Sequence, residues 1–107
     1  MNERLDVVSV GLKANVYFDG RVVSRDVFFQ DGLRRTIGVV LPGTYEFGVG
    51  DKEIVTIISG EAEVLLPPRL QEWEKVSKGS SFSIIRNTGY KLRCSEIVEY
   101  LCEFVPE

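Results

Sequence analysis

Glu53 follows the turn Gly48–Asp51 and opens the apolar run Ile54-Val55-Thr56-Ile57-Ile58. A carboxylate at such a junction can point into the mouth of a β-barrel, where it accepts hydrogen bonds from sugar hydroxyls or orients a water. The competing reading is a solvated acid in the charged turn Asp51-Lys52-Glu53, the usual fate of turn charges. Basic residues form a second group. Arg34-Arg35 precede Thr36, while Arg86, Lys91 and Arg93 flank the turn Asn87-Thr88-Gly89. A guanidinium fork matches a phosphate or carboxylate bidentately, and a hydroxyl such as that of Thr36 completes the cradle. Strand alternation sends Arg34 and Arg35 to opposite faces, so at most one of them enters a pocket. Any of these cations otherwise balances acids on a wet surface. The aromatics are a third group. Most must fill a core, and one or two at a barrel mouth can stack on a planar ring.

The residue that is absent narrows the chemistry further. The chain has no histidine. A Ser-His-Asp triad, a Cys-His dyad and an imidazole-based zinc or iron site are therefore excluded from a single chain. Cys94 and Cys102 make no CxxC pair and read as free thiols of a reducing compartment. Gly48-Val49-Gly50 lacks the following helix that a phosphate loop needs, so it reads as a hairpin turn. The formal charge of −3 and a pI near 5.0 argue against general binding of nucleic acid or anionic membrane, which both need net basic surface. No apolar run approaches the length of a membrane helix, and Met1–Asp6 is charged rather than signal-like. The expectation is a cytoplasmic protein.

The elements that must position these residues are strands. Turn signals recur at Asp19-Gly20, Asp31-Gly32, Pro42-Gly43, Gly48–Asp51, Ser59-Gly60, Pro67-Pro68, Lys78-Gly79 and Asn87–Gly89, with segments rich in Val, Ile, Phe, Tyr and Thr between them. That cadence predicts one all-β domain, a sandwich or small barrel. Strands are expected over Arg21–Phe29, Arg34–Leu41, Thr44–Phe47, Glu53–Ser59, Glu61–Leu66, Glu72–Val76, Ser80–Ile85, Tyr90–Cys94 and Ile97–Phe104. Ile54–Ile58 is apolar on both faces and should lie centrally. Ile97–Phe104 also fits a helical period, but the alternation of Val98, Tyr100, Cys102 and Phe104 favours a strand. Residues 1–14, with Val7–Leu12, form an added edge strand or an arm toward a partner, and residues 15–107 form the barrel.

Pro42-Gly43, Glu53, Gly60 and Gly79 stand where a cupin, a jelly-roll barrel, would have them. In that resemblance the metal-ligand positions are Phe47, Val49, Glu53 and Tyr90, and only the acid can still bind a cation. It also puts Tyr45, Phe47 and Tyr90 near the mouth. Between about Asn15 and Phe104 the chain resembles, more narrowly, the pyrimidine/purine nucleoside phosphorylases, a family of small bacterial cupins. The residues that carry this are Asn15-Val16-Tyr17-Phe18-Asp19-Gly20, Thr36-Ile37-Gly38-Val39, Pro42–Phe47, Glu53, Ile57-Ile58-Ser59-Gly60, Trp73, Gly79-Ser80-Ser81-Phe82 and Tyr100-Leu101-Cys102.

The resemblance implies phosphorolysis of purine and pyrimidine nucleosides by inorganic phosphate, with no cofactor and no metal. A cationic phosphate holder, an acceptor for ribose hydroxyls and a flat wall for the base would suffice. On that implication phosphate falls to Arg86 or Arg35 with Thr36, ribose hydroxyls to Glu53, and the base to Tyr45, Phe47 or Tyr90, with Lys91 nearby. The catalytic pair would be Glu53 and Arg86. The alternatives are a non-catalytic cupin that binds a sugar or nucleotide, and a metal-free sugar isomerase. Cupins commonly pair through faces and edges, so a homodimer is expected.

Overall fold

β-branched and aromatic segments separated by glycine turns can satisfy their backbone only by pairing with one another. The computed structural model describes residues 4–106. Its strands are β1 (Ser9–Val10), β2 (Asn15–Tyr17), β3 (Val22–Phe28), β4 (Arg34–Val40), β5 (Gly43–Val49) and β6 (Lys52–Ser59). They continue with β7 (Glu61–Leu66), β8 (Arg69–Ser77), β9 (Ser81–Ile84), β10 (Thr88–Cys94) and β11 (Val98–Val105). One 3-10 turn, Phe18–Gly20, separates β2 from β3. The larger sheet runs β1-β3-β4-β11-β6-β9, with β2 also on β3, and the smaller runs β5-β10-β7-β8. All pairings between these strands are antiparallel. The protein is an all-β, cupin-type barrel of two facing sheets.

Alternation decides what each strand sends inward. In β6 it is Glu53, Val55 and Ile57; in β11 it is Val98, Tyr100, Cys102 and Phe104. The register sets Tyr100 opposite Gly38 and Cys102 opposite Thr36 on one side, and Cys102 opposite Val55 on the other. Ile57, Val64 and Val98, each at 0% exposure, centre the core between the sheets. β6 lies between β11 and β9, the central place expected of a run apolar on both faces. β11 is paired on both sides, so the helical period in Ile97–Phe104 has no role.

Several strands differ from expectation; β5, for example, runs on through Gly48 and Val49, which read as turn in the sequence. β8 begins at Arg69 rather than Glu72, β2 was not foreseen, and Val7–Leu12 contributes only Ser9–Val10. β2 and the start of β8 are largely exposed stretches that become strand by backbone pairing with a neighbour. Val7–Leu12 is instead apolar in sequence yet mostly exposed, and only Ser9–Val10 of it pairs as strand. Within the segment 1–14, residues 1–3 lie outside the described residues. Ser9 and Val10 pair with Phe28 and Val27 at the sheet edge. Among the described residues no helix is long and apolar enough to cross a membrane.

Gly38 shapes the interior. A Cβ there would lie 2.7 Å from Cζ and Oη of Tyr100, so the bare backbone lets that ring lie across β4. Gly38→Ala should therefore lower stability by about 1–3 kcal/mol, the usual cost of overpacking. Chemical denaturation would show this as a lower midpoint at unchanged m-value.

Candidate active site

Between the sheets lies a cavity of about 470 Å³. Its polar side is supplied by the larger sheet: Ser24 from β3, Arg34 and Thr36 from β4, Glu53 from β6, and Tyr100 and Cys102 from β11. Phe47 and Tyr90 face them from the smaller sheet, with Phe18 and Tyr17 alongside. Among the described residues no fully buried side-chain nitrogen or oxygen lacks a hydrogen-bond partner.

Glu53 is held within this wall. The Cys102 thiol donates to its Oε1 at 3.5 Å. Burial raises the Glu53 pKa above its ordinary 4.5, and the Cys102 hydrogen bond and the Arg34 charge oppose that rise. Burial also pushes the Cys102 thiol far up, assisted by the neighbouring Glu53 charge, so the thiol stays protonated and able to donate. Tyr90 and Tyr100 are raised for the same first reason, burial, and keep their phenolic protons.

Arg34 sits at the rim with its side chain 47% exposed. Its Nη1 donates to Asp26 Oδ1 at 3.1 Å, and its guanidinium carbon lies 4.4 Å from the Phe104 ring centre. Asn15 braces the same aspartate, with Nδ2 donating to Oδ1 at 3.0 Å. The fork is thus fixed in direction by Asp26 and Phe104. A guanidinium has five N–H donors, and these contacts engage only Nη1.

The aromatic wall is continuous. Phe47 and Tyr90 stack at 5.2 Å with 26° between planes, and Phe82 meets Tyr90 edge-on at 5.9 Å. The register explains the pair, since Tyr90 lies opposite Phe47 across β5 and β10.

Of the residues singled out by sequence, the structure brings Glu53, Thr36, Phe47 and Tyr90 to one cavity. Four others lie elsewhere. Tyr45 is buried behind Phe47, its hydroxyl donating to the Leu41 carbonyl at 2.6 Å. Arg35 points to the opposite face of β4, pairs with Asp31 at 3.2 Å and covers Phe29. Lys91 is exposed, between the inward-facing Tyr90 and Leu92. Arg86 is exposed in the loop between β9 and β10. Arg34 is the arginine that alternation admits to the pocket. It shares parity with Thr36, two residues on, and that signal was present in the sequence. Tyr100, Cys102 and Phe104 follow from the same reasoning on β11. Phe18 had no such signal.

The positions that the cupin resemblance makes metal ligands carry side chains unsuited to that role apart from Glu53. Phe47 and Tyr90 are a stacked pair, Val49 is buried apolar, and among the described residues no three His, Cys, Asp or Glu side chains come together.

Comparison with known proteins agrees with this architecture. Residues 12–104 match the family model described as pyrimidine/purine nucleoside phosphorylase. A protein of that name from Chlorobium chlorochromatii is 45% identical over 98 residues, covering 92% of this chain and 93% of its own. The crystal structure of a protein of unknown function from Acinetobacter sp. ADP1 superposes with a TM-score of 0.93 at 35% identity, covering 97% of this chain and 100% of that one. The Clostridium difficile EutQ protein shares the fold alone, with a TM-score of 0.66 at 15% identity over 79% of this chain and 68% of its own. With the match spanning nearly the whole barrel, the chain belongs to the pyrimidine/purine nucleoside phosphorylase family.

Proposed function

We propose that the protein is a pentosyltransferase that cleaves purine and pyrimidine nucleosides with inorganic phosphate, and that the cavity between the sheets is where it does so. The observation that carries this reading is the division of that cavity: an arginine and hydroxyls on one side, a carboxylate in the same wall, and flat rings opposite. A phosphate oxygen attacks C1′ as the C1′–N bond breaks. The electron pair leaves with the base, which takes up a proton, and the products are free base and pentose 1-phosphate. Arg34 and Thr36 hold the phosphate. Ionised Glu53 accepts from ribose hydroxyls and stabilises the positive charge that builds on the sugar. Phe47 and Tyr90 supply the wall for the base. These roles need no metal and no cofactor, in keeping with a donor set that contains no imidazole.

The test is base release. Purified protein is incubated with uridine, inosine, adenosine and guanosine, with and without phosphate. Release from both ring classes that depends on phosphate supports the proposal; no phosphate-dependent release from any of them sinks it.

We also infer a homodimer. The outer face of the larger sheet carries Val23, Ile37, Val39, Ile58 and Leu101, only partly covered. Together with Leu5, Val8 and Val10 of the N-terminal segment and the charged Arg25 and Glu99, they line a second depression of about 510 Å³. A largely apolar sheet face with a few charges at its edge suits an interaction surface. Leu101→Glu should convert a dimer to a monomer in analytical ultracentrifugation. A wild-type protein that sediments as a monomer contradicts the inference.

A further inference from the structure

Phe18 occupies a costly position in the barrel. Its backbone is left-handed, with φ of 53°, followed by Asp19 at 55° and Gly20 at 89°. A bulky side chain rarely adopts that conformation, and such outliers persist where the surroundings impose them. The surroundings here are specific. β2 is tied down through Asn15, whose amide donates to both Ser24 and Asp26, and the turn is closed by Arg21 N–H donating to the Phe18 carbonyl at 3.1 Å. The result is a ring that lines the cavity, on a residue that stays 41% exposed. It meets Phe47 edge-on, at 5.5 Å and 89°, and Tyr45 at 5.0 Å and 59°. A core residue would be covered and have an ordinary backbone. Phe18 has neither property, yet it is buttressed by two aromatic neighbours.

We propose that Phe18 is the stacking surface for the nucleoside base, closing over a heterocycle whose other neighbours are Phe47 and Tyr90. This rests on the nucleoside reading above and adds the residue that fixes substrate range. Recognition by ring faces reads aromaticity and size rather than edge pattern, because every base has a flat face. Purines, with the larger face, gain more from the contact than pyrimidines.

The variant is Phe18→Asn, since asparagine tolerates the left-handed backbone and replaces the ring with a small amide that cannot stack as the ring does. Kinetics are measured with inosine and uridine at saturating phosphate, and with phosphate at saturating nucleoside. The nucleoside KM should rise about tenfold, within the range one base–aromatic stack contributes, and more for inosine than for uridine. The phosphate KM should stay unchanged, and Phe18→Tyr, which keeps the ring, should restore the nucleoside KM. An unchanged nucleoside KM in Phe18→Asn overturns the proposal. So does an equal rise in both KM values accompanied by a lower Tm, which would make Phe18 a structural residue. If the wild-type protein releases no base at all, calorimetric titration with hypoxanthine and uracil keeps the two ideas separate. Weaker binding to Phe18→Asn than to wild type then supports a base-binding ring in a protein that is not a phosphorylase. Equal binding, or none to either, rejects it.

Discussion

Glu53→Gln lowers kcat by roughly 10²–10³-fold at neutral pH, the scale of removing one preorganised electrostatic contact to a developing charge. Glutamine has the same size, and its amide oxygen can still accept the Cys102 thiol that donates to Glu53 Oε1. What it lacks is the negative charge beside the sugar. Burial raises the Glu53 pKa above 4.5, against the Cys102 hydrogen bond and Arg34. Wild-type activity should therefore fall on the acid side at a pH above 4.5, and the residual activity of the variant should lose that acid limb. Stability moves the other way. The folded pKa lies above the unfolded one, so the native state holds this proton longer. The corresponding stabilisation is complete below about pH 4.5, the usual carboxyl range, and is lost as pH rises through the folded value. Glu53→Gln should consequently melt higher than wild type at pH 7, with the gap closing in acid. Melting curves and pH–rate profiles of the two proteins check both statements; wild-type turnover by the variant would remove Glu53 from the site.

Arg34→Met raises the phosphate KM and lowers kcat/KM for phosphate by about 100-fold, because a charge-assisted pair of hydrogen bonds contributes about 3 kcal/mol. Methionine retains much of the packing on Phe104. The lost ion pair with Asp26 is partly exposed and has little effect on folding. Arg34→Lys should recover only a part, since a point charge cannot reproduce the fork. Arg35→Met and Arg86→Met, whose side chains lie away from the cavity, should stay within a few-fold of wild type. Phosphate saturation curves for the four variants decide the assignment. A large phosphate effect in Arg35 or Arg86, with Arg34 silent, would move the anion site off the inner face of β4.

The legible part of this site is what a period of two can express. Glu53, Thr36 and Tyr90 sit on strands whose alternation is clear, and the apolar run Ile54–Ile58 marks a central strand. Arg34 is legible in the same way: alternation splits Arg34 and Arg35 between two faces, and Thr36, two residues on, shares the inward parity with Arg34. Tyr45 is the reverse case. Its parity is inward, but depth along the strand is not in the alternation, and its hydroxyl ends on the Leu41 carbonyl. Phe18 escaped because it lies on no strand. Its direction comes from consecutive left-handed residues whose sequence, Phe-Asp-Gly, advertises a turn but not the ring it presents. Loop residues such as Arg86 have no period at all, so spacing from a turn placed them near the site when the fold did not.

Product analysis bears most directly on the cavity as a phosphorolytic site. Inosine and inorganic phosphate are followed by ³¹P NMR with wild type, Glu53→Gln and Arg34→Met side by side. A new pentose 1-phosphate signal should grow with wild type in step with free hypoxanthine, and be slowed about 100-fold or more in both variants. Free base without a new phosphorus signal, or pentose 1-phosphate formed equally fast by the two variants, would contradict it.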